Sequence, residues 1–334
     1  MTHARSLQPI SRLQRVPTQE LLLAGTLLAG WLGELGCAPP AAAPAAVSAP
    51  AMPTAPTTSA APTTPDRARG GRLYDSWRTE RRLSSRYEYD RAGTVEPDGK
   101  GGPNGNGTLN DGLGRAMLNP GHDYRLKNFF GWDLRGKQGL SGPAYHAEPF
   151  VLERNLLEDP RSAEEIQAWL AHGDEQIPAY GQVLDERDLA DLTAFLVQSR
   201  DAGIARPEQV YRIASDAPRN YSLQPGADLA HGHELFEFVC ADCHGKDGRE
   251  LPLDGGFSLG SFARARADEA WFKIQNGLAG SPMQGIGEPS GEQAARTVLD
   301  LLAALCDRER FPPAASNRAN DVAEGDARCG AYLK

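Results

Sequence analysis

Four stretches of the chain repeat their apolar residues at three- and four-residue intervals, the spacing that gives an α-helix one apolar face. They are Gly232, Leu235, Phe236 and Val239; Ala295, Val298, Leu299, Leu302 and Leu305 across 292–306; Ile166, Trp169 and Leu170; and Leu189, Leu192, Phe195 and Leu196. The third is opened by the capping box Ser162-Ala163-Glu164-Glu165 and closed by Gly173, and the fourth starts from Asp185. The pattern predicts an all-α fold with helix-loop-helix order in each half: a helix holding a Trp (Trp169, Trp271), a glycine (Gly173, Gly277), a Pro-containing loop, then a last helix.

The N-terminus follows a different pattern. Residues 1–19 carry Arg5, Arg12 and Arg15 and no acid, and 21–33 is an apolar run too short to span a bilayer. This is the signature of a secretory signal over 1–36, so the protein is expected to be exported. The run ends at Leu35-Gly36-Cys37, which resembles the lipobox of bacterial lipoproteins, although Glu34 stands where that motif prefers Leu. Lipidation of Cys37 would anchor the protein to a membrane; cleavage within 41–46 would leave no anchor. Residues 38–65 hold eight prolines among Ala, Thr and Ser, with no charge. Such a stretch favours extended polyproline II over a packed core, so 37–69 reads as a tether.

Composition sharpens this outline. A chain of 334 residues accommodates two domains, and the tether absorbs much of its excess of proline, 25 residues in all. The net charge of −9 argues against nucleic acid, which needs clustered Lys and Arg, and favours a partner protein with a basic docking surface. The stretch 93–114, rich in Gly, Asn and Asp, lacks the ligand spacing of a calcium loop and reads as an insertion.

The five cysteines divide into separate roles. Cys240-Ala241-Asp242-Cys243-His244 is C-x-x-C-H, the attachment sequence of c-type haem, in which two thiols link covalently to the porphyrin and the histidine ligates iron. Three other readings compete: a thioredoxin-like dithiol, which wants a βαβ context absent here; a structural zinc, which wants a second Cys or His pair nearby; and an unmodified exported dithiol. With Gly232 and Phe236 before it, the motif is similar to the N-terminal helix of class I cytochromes c, whose glycine permits close crossing with the last helix. The sixth iron ligand follows by elimination. Of Met1, Met52, Met117 and Met283, Met283 alone lies between the motif and the last helix, in Ser281-Pro282-Met283-Gln284-Gly285, which resembles the distal Met loop of cytochromes c. His231 and His233 are weaker candidates, because they precede the motif on its helix. Cys306 and Cys329 either form a disulfide pinning the tail 312–334 or remain free thiols.

The first half carries a related pattern. Gly71-Arg72-Leu73-Tyr74-Asp75-Ser76-Trp77 and Gly131-Trp132-Asp133-Leu134-Arg135-Gly136 resemble the first domain of tandem, dihaem periplasmic cytochromes c. Where that family has C-x-x-C-H, this chain has Leu126-Lys127-Asn128-Phe129-Phe130. The resemblance therefore implies two tandem cytochrome c-like domains, 70–222 without haem and 223–311 with one haem c, and Leu126, Phe129 and Phe130 filling the vacated pocket. An electron carrier in the periplasm is the first expectation. The haem subunit of an exported oxidoreductase and a haem-based sensor are its alternatives. No Ser-His-Asp set, phosphate loop or paired-carboxylate motif recommends an independent enzyme.

Overall fold

Two helix crossings, each closed on a glycine, organise the chain. The computed structural model describes residues 64–84, 109–117, 125–140, 143–201, 206–213, 221–286 and 291–334. The leader, Cys37 and the tether up to residue 63 lie outside the described residues. In the first half α1 (Arg67–Ser84) crosses α5 (Glu186–Arg200); in the second, α7 (Leu229–Leu235) crosses α11 (Gly291–Leu305). A Cβ placed on Gly70 would sit 1.9 Å from the backbone oxygen of Asp191, and one on Gly232 would sit 2.0 Å from that of Asp300. Only glycine lets the backbones approach this closely.

The same two aspartates tie the helix starts. Asp66 donates its N–H to Asp191 Oδ1 at 2.7 Å, and Asp228 donates its N–H to Asp300 Oδ1 at 2.7 Å. The second carboxylate oxygen meets Arg69 at 2.6 Å in one half and His231 Nδ1 at 2.8 Å in the other. These contacts superpose Asp66, Ala68, Gly70, Leu73 and Tyr74 on Asp228, Ala230, Gly232, Leu235 and Phe236.

The correspondence continues beyond the crossings. The short helices α2 (Leu126–Phe130) and α8 (Ala241–His244) each end at a left-handed glycine, Gly131 with φ 75° and Gly245 with φ 77°. Three residues further on, Leu134 and Gly248 also share a positive φ, 65° and 72°; among the described residues Leu134 is the one non-glycine in that region. Between α2 and the next long helix lies α3 (Pro143–His146). Helix α4 (Ala163–His172) has its capping box formed between Ser162 and Glu165. Its closing glycine, Gly173, and Gly181 beyond it match Gly277 and Gly285. A Cβ on Gly181 would meet the oxygen of Ala171 at 2.8 Å, and one on Gly285 that of Gln275 at 2.1 Å.

The link between the halves is α6 (Pro207–Val210) and an antiparallel hairpin, β1 (Tyr211–Ile213) with β2 (Tyr221–Leu223), the two strands among the described residues of an otherwise helical fold. The expected boundary between 222 and 223 thus falls inside β2. Helices α9 (Leu259–Ala265) and α10 (Ala267–Asn276) complete the second half. Phe272 of α10 lies against Tyr74, Trp132 and Phe195 of the first half, with ring centroids 5.9, 5.0 and 5.8 Å apart, so the halves share one core.

The tail folds back on this body. Cys306 and Cys329 form a disulfide with Cα atoms 5.9 Å apart. Arg264, wholly buried, donates to Asp321 at 2.7 Å and to the carbonyls of Leu305 and Phe311.

Candidate functional site

The local fold around the motif is set by a change of helical pitch. After α7 the chain takes a π-helical turn over Phe236–Cys240 before continuing as α8. The wider turn ends the simple stripe read from sequence. Val239, expected in the core with Phe236, is 58% exposed and its neighbour Phe238 is 77% exposed. Such turns are found often at functional sites. Here it leaves Phe236, Cys240 and His244, each four residues apart, on one wall of a cavity.

The cavity measures about 280 Å³. Met283 and Leu278 line it too, and its lining is mainly apolar, including Leu253, Phe262, Ile274 and Leu301. Asp254, Arg266, Glu269 and Lys273 are its charged residues. Lys273 also bonds Asp75 of the first half at 3.1 Å, so the cavity wall is tied directly to that half.

The ionisation state of the side chains suits ligation rather than dithiol redox chemistry. Burial pushes the Cys240 thiol up to about 11, with Cys243 adding to the effect, which is the reverse of the lowered thiol that disulfide exchange needs. Cys240 and Cys243 are both free, and Cys243 is exposed. Burial also lowers the pKa of His244, favouring the neutral imidazole that binds metal. Its Nδ1 is buried with no hydrogen-bond partner among the described residues. Among the described residues no group of three or more His, Cys, Asp or Glu is arranged to hold a bare metal ion.

The loop that presents Met283 is tightly made. Leu278 N–H donates to the Met283 carbonyl at 3.2 Å, Met283 N–H donates to Ser281 Oγ at 3.1 Å, and Ile286 N–H donates to Ile274 O at 2.9 Å. Gly277, with φ 87°, would place a Cβ 2.5 Å from the Met283 oxygen. The two histidines considered as alternatives are elsewhere: His231 pairs with Asp300, and His233 stacks on Phe311 at 6.0 Å.

At the matching place in the first half the polar set is gone. Leu126, Phe129 and Phe130 stand where Cys240, Cys243 and His244 stand, and are 0%, 2% and 0% exposed. Phe130 packs edge-on against Trp169 at 6.1 Å. Ala179, after Pro178, takes the place of Met283 after Pro282.

No family model matches the chain, and no curated protein matches it. A solved structure that does match is a chain of the Kuenenia stuttgartiensis reducing HAO-like protein complex, 16% identical, with a TM-score of 0.19, covering 54% of this chain and 90% of that one.

Two contributors to the site escape sequence patterns: the π-helical turn, which has no side-chain signature, and the contacts of the first half with the Met283 loop. Only the close pairing of Gly277 and Gly285 around Pro282 offered a signal that this loop is built to one shape.

Proposed function

We propose that this chain is an exported c-type cytochrome that carries one haem c, in its second half, and works in outer-sphere electron transfer. What carries the proposal is that Cys240, His244 and Met283 line one apolar cavity, while the first half has Leu126, Phe130 and Ala179 at the matching positions. The donor set and the apolar lining fit a haem.

In this proposal Cys240 and Cys243 would form the two thioether links, and His244 and Met283 would be the protein's ligands to the iron. Haem so bound supplies reversible one-electron oxidation and reduction of its iron. The protein does the rest. Leu253, Phe262 and Leu301 exclude water from the cavity. With His244 and Met283 both as ligands the protein itself would complete the iron's coordination, which favours electron exchange through the surface over chemistry at the metal. Phe238 and Val239, exposed beside Cys240, offer apolar surface to a redox partner protein there. Export by the leader, lipidation at Cys37 and the proline-rich tether would place the domain in the periplasm, close to a membrane.

The test is to produce the chain with a periplasmic haem-maturation system and measure the haem-to-protein ratio and the visible spectrum. One haem per chain, with a long-wavelength Met-to-iron charge-transfer band in the ferric protein, is expected. Zero or two haems would overturn the proposal.

A further inference from the structure

The first half has lost its own ligands, yet one part of it has no counterpart in the second half. In the second half the chain passes from Phe236 straight to Cys240; in the first, residues 75–125 intervene between Tyr74 and Leu126. The beginning of that insertion is the last part of α1, which bends at Ser76 (φ −158°, ψ 87°). The bend carries Thr79 and Glu80 onto the loop that holds Met283.

The contacts there are specific. Glu80 is buried, and its Oε1 takes the Nε–H of buried Arg72 at 3.0 Å. Its Oε2 accepts the backbone N–H of Gly280 at 3.1 Å. Arg72 in turn donates to the Asn276 carbonyl at 3.2 Å and to Gln284 Oε1 at 3.4 Å. Arg72 and Glu80 therefore bracket Met283, touching the loop at Asn276, Gly280 and Gln284. Gly280 has φ 69°, and a Cβ on it would lie 2.3 Å from Thr79 Cγ2, so glycine is required both by the backbone and by the neighbour.

We propose that the Arg72–Glu80 pair is a positioning device for the sixth iron ligand, and that holding the Met283 loop is the function the haem-less half retains. The proposal rests on the haem reading given above. Physically, a loop with few anchors can let its methionine leave the iron. A buried ion pair bonded to the backbone of Asn276 and Gly280 before Met283, and to the side chain of Gln284 after it, raises the cost of that opening. Its removal shifts the loop toward states in which a small exogenous ligand competes for the iron.

The experiment uses the full, haem-matured chain with Glu80→Gln, Glu80→Ala and, as control, Arg69→Gln, which disturbs the α1–α5 crossing without touching the loop. Two readouts are followed: the strength of the ferric Met-to-iron charge-transfer band, and the affinity for imidazole. Glu80→Ala is expected to weaken the band and tighten imidazole binding about tenfold, as loss of a charged hydrogen bond would do, with Glu80→Gln changing both less. Arg69→Gln is expected to leave both unchanged at temperatures where it is folded. A Glu80→Gln or Glu80→Ala protein with wild-type band and wild-type imidazole affinity would overturn the positioning role. A wild-type protein lacking haem, or lacking the band, would instead overturn the reading beneath it.

Discussion

Asp300 accepts the backbone N–H of Asp228 at 2.7 Å while its own carbonyl oxygen presses on Gly232, and Asp191 does the same to Asp66 and Gly70 in the other half. One residue thus sets both the start of the crossing helix, through its side chain, and the distance of the crossing, through its backbone carbonyl. The side chain opposite differs: His231 faces Asp300 where Arg69 faces Asp191.

Gly232→Ala and Gly70→Ala should each destabilise the protein by at least about 1–3 kcal/mol, because the added methyl overlaps a helix backbone that can yield only by moving as a unit. Denaturant midpoints measure this. Wild-type midpoints for both variants would mean that the crossings are looser than the 1.9 and 2.0 Å approaches imply.

On the proposed haem reading, Met283→Leu should leave the haem attached, since the thioether links would not involve residue 283, but remove the charge-transfer band and lower the reduction potential. Spectra and potentiometric titration report both changes. A retained band would assign the sixth ligand to another side chain.

Asp133 is buried, accepts the Leu140 N–H at 3.0 Å, and has its pKa pushed up to about 6 by burial, partly offset by Arg135. A carboxyl whose folded pKa lies above its unfolded value binds its proton more tightly in the native state, so its contribution to stability falls as pH rises from about 4 to about 6. Asp133→Asn should therefore gain on the wild type across that window, by on the order of 2–3 kcal/mol above it, and lose the advantage below it. Paired denaturation curves at pH 4 and pH 7 test the sign.

Replacing Cys306 and Cys329 together by serine opens a link that closes a separation of 23 residues. The expected cost is about 3 kcal/mol, read as a lowered denaturation midpoint that reductant no longer affects. The tail keeps its second attachment, since Arg264 still binds Asp321 at 2.7 Å.

Much of the fold is legible along the chain because its signals are local. The stripes of α4, α5 and α11, the Ser162–Glu165 capping box and the closing Gly173 and Gly277 all appear where the spacing predicts them. Val239 misleads because a π-helical turn shifts register without changing composition. The hairpin of Tyr211 with Leu223 is too short for period-two alternation to register. Contacts such as Glu80 with Gly280 span 200 residues, and nothing local to either residue announces the other. The candidate ligands were visible as a motif and a remaining methionine; that Cys240, His244 and Met283 share a cavity was not.

Helix α10 has an implication for how the chain can be divided. Ala270, Lys273 and Ile274 line the cavity beside Met283, while Phe272 lies among Tyr74, Trp132 and Phe195. One helix is therefore a wall of two compartments. A fragment beginning at residue 223 would keep every candidate ligand but expose Phe272 to water, so the smallest self-sufficient unit includes the half without candidate ligands. Under the haem reading proposed above, the half without ligands is then a structural part of the site that the other half presents.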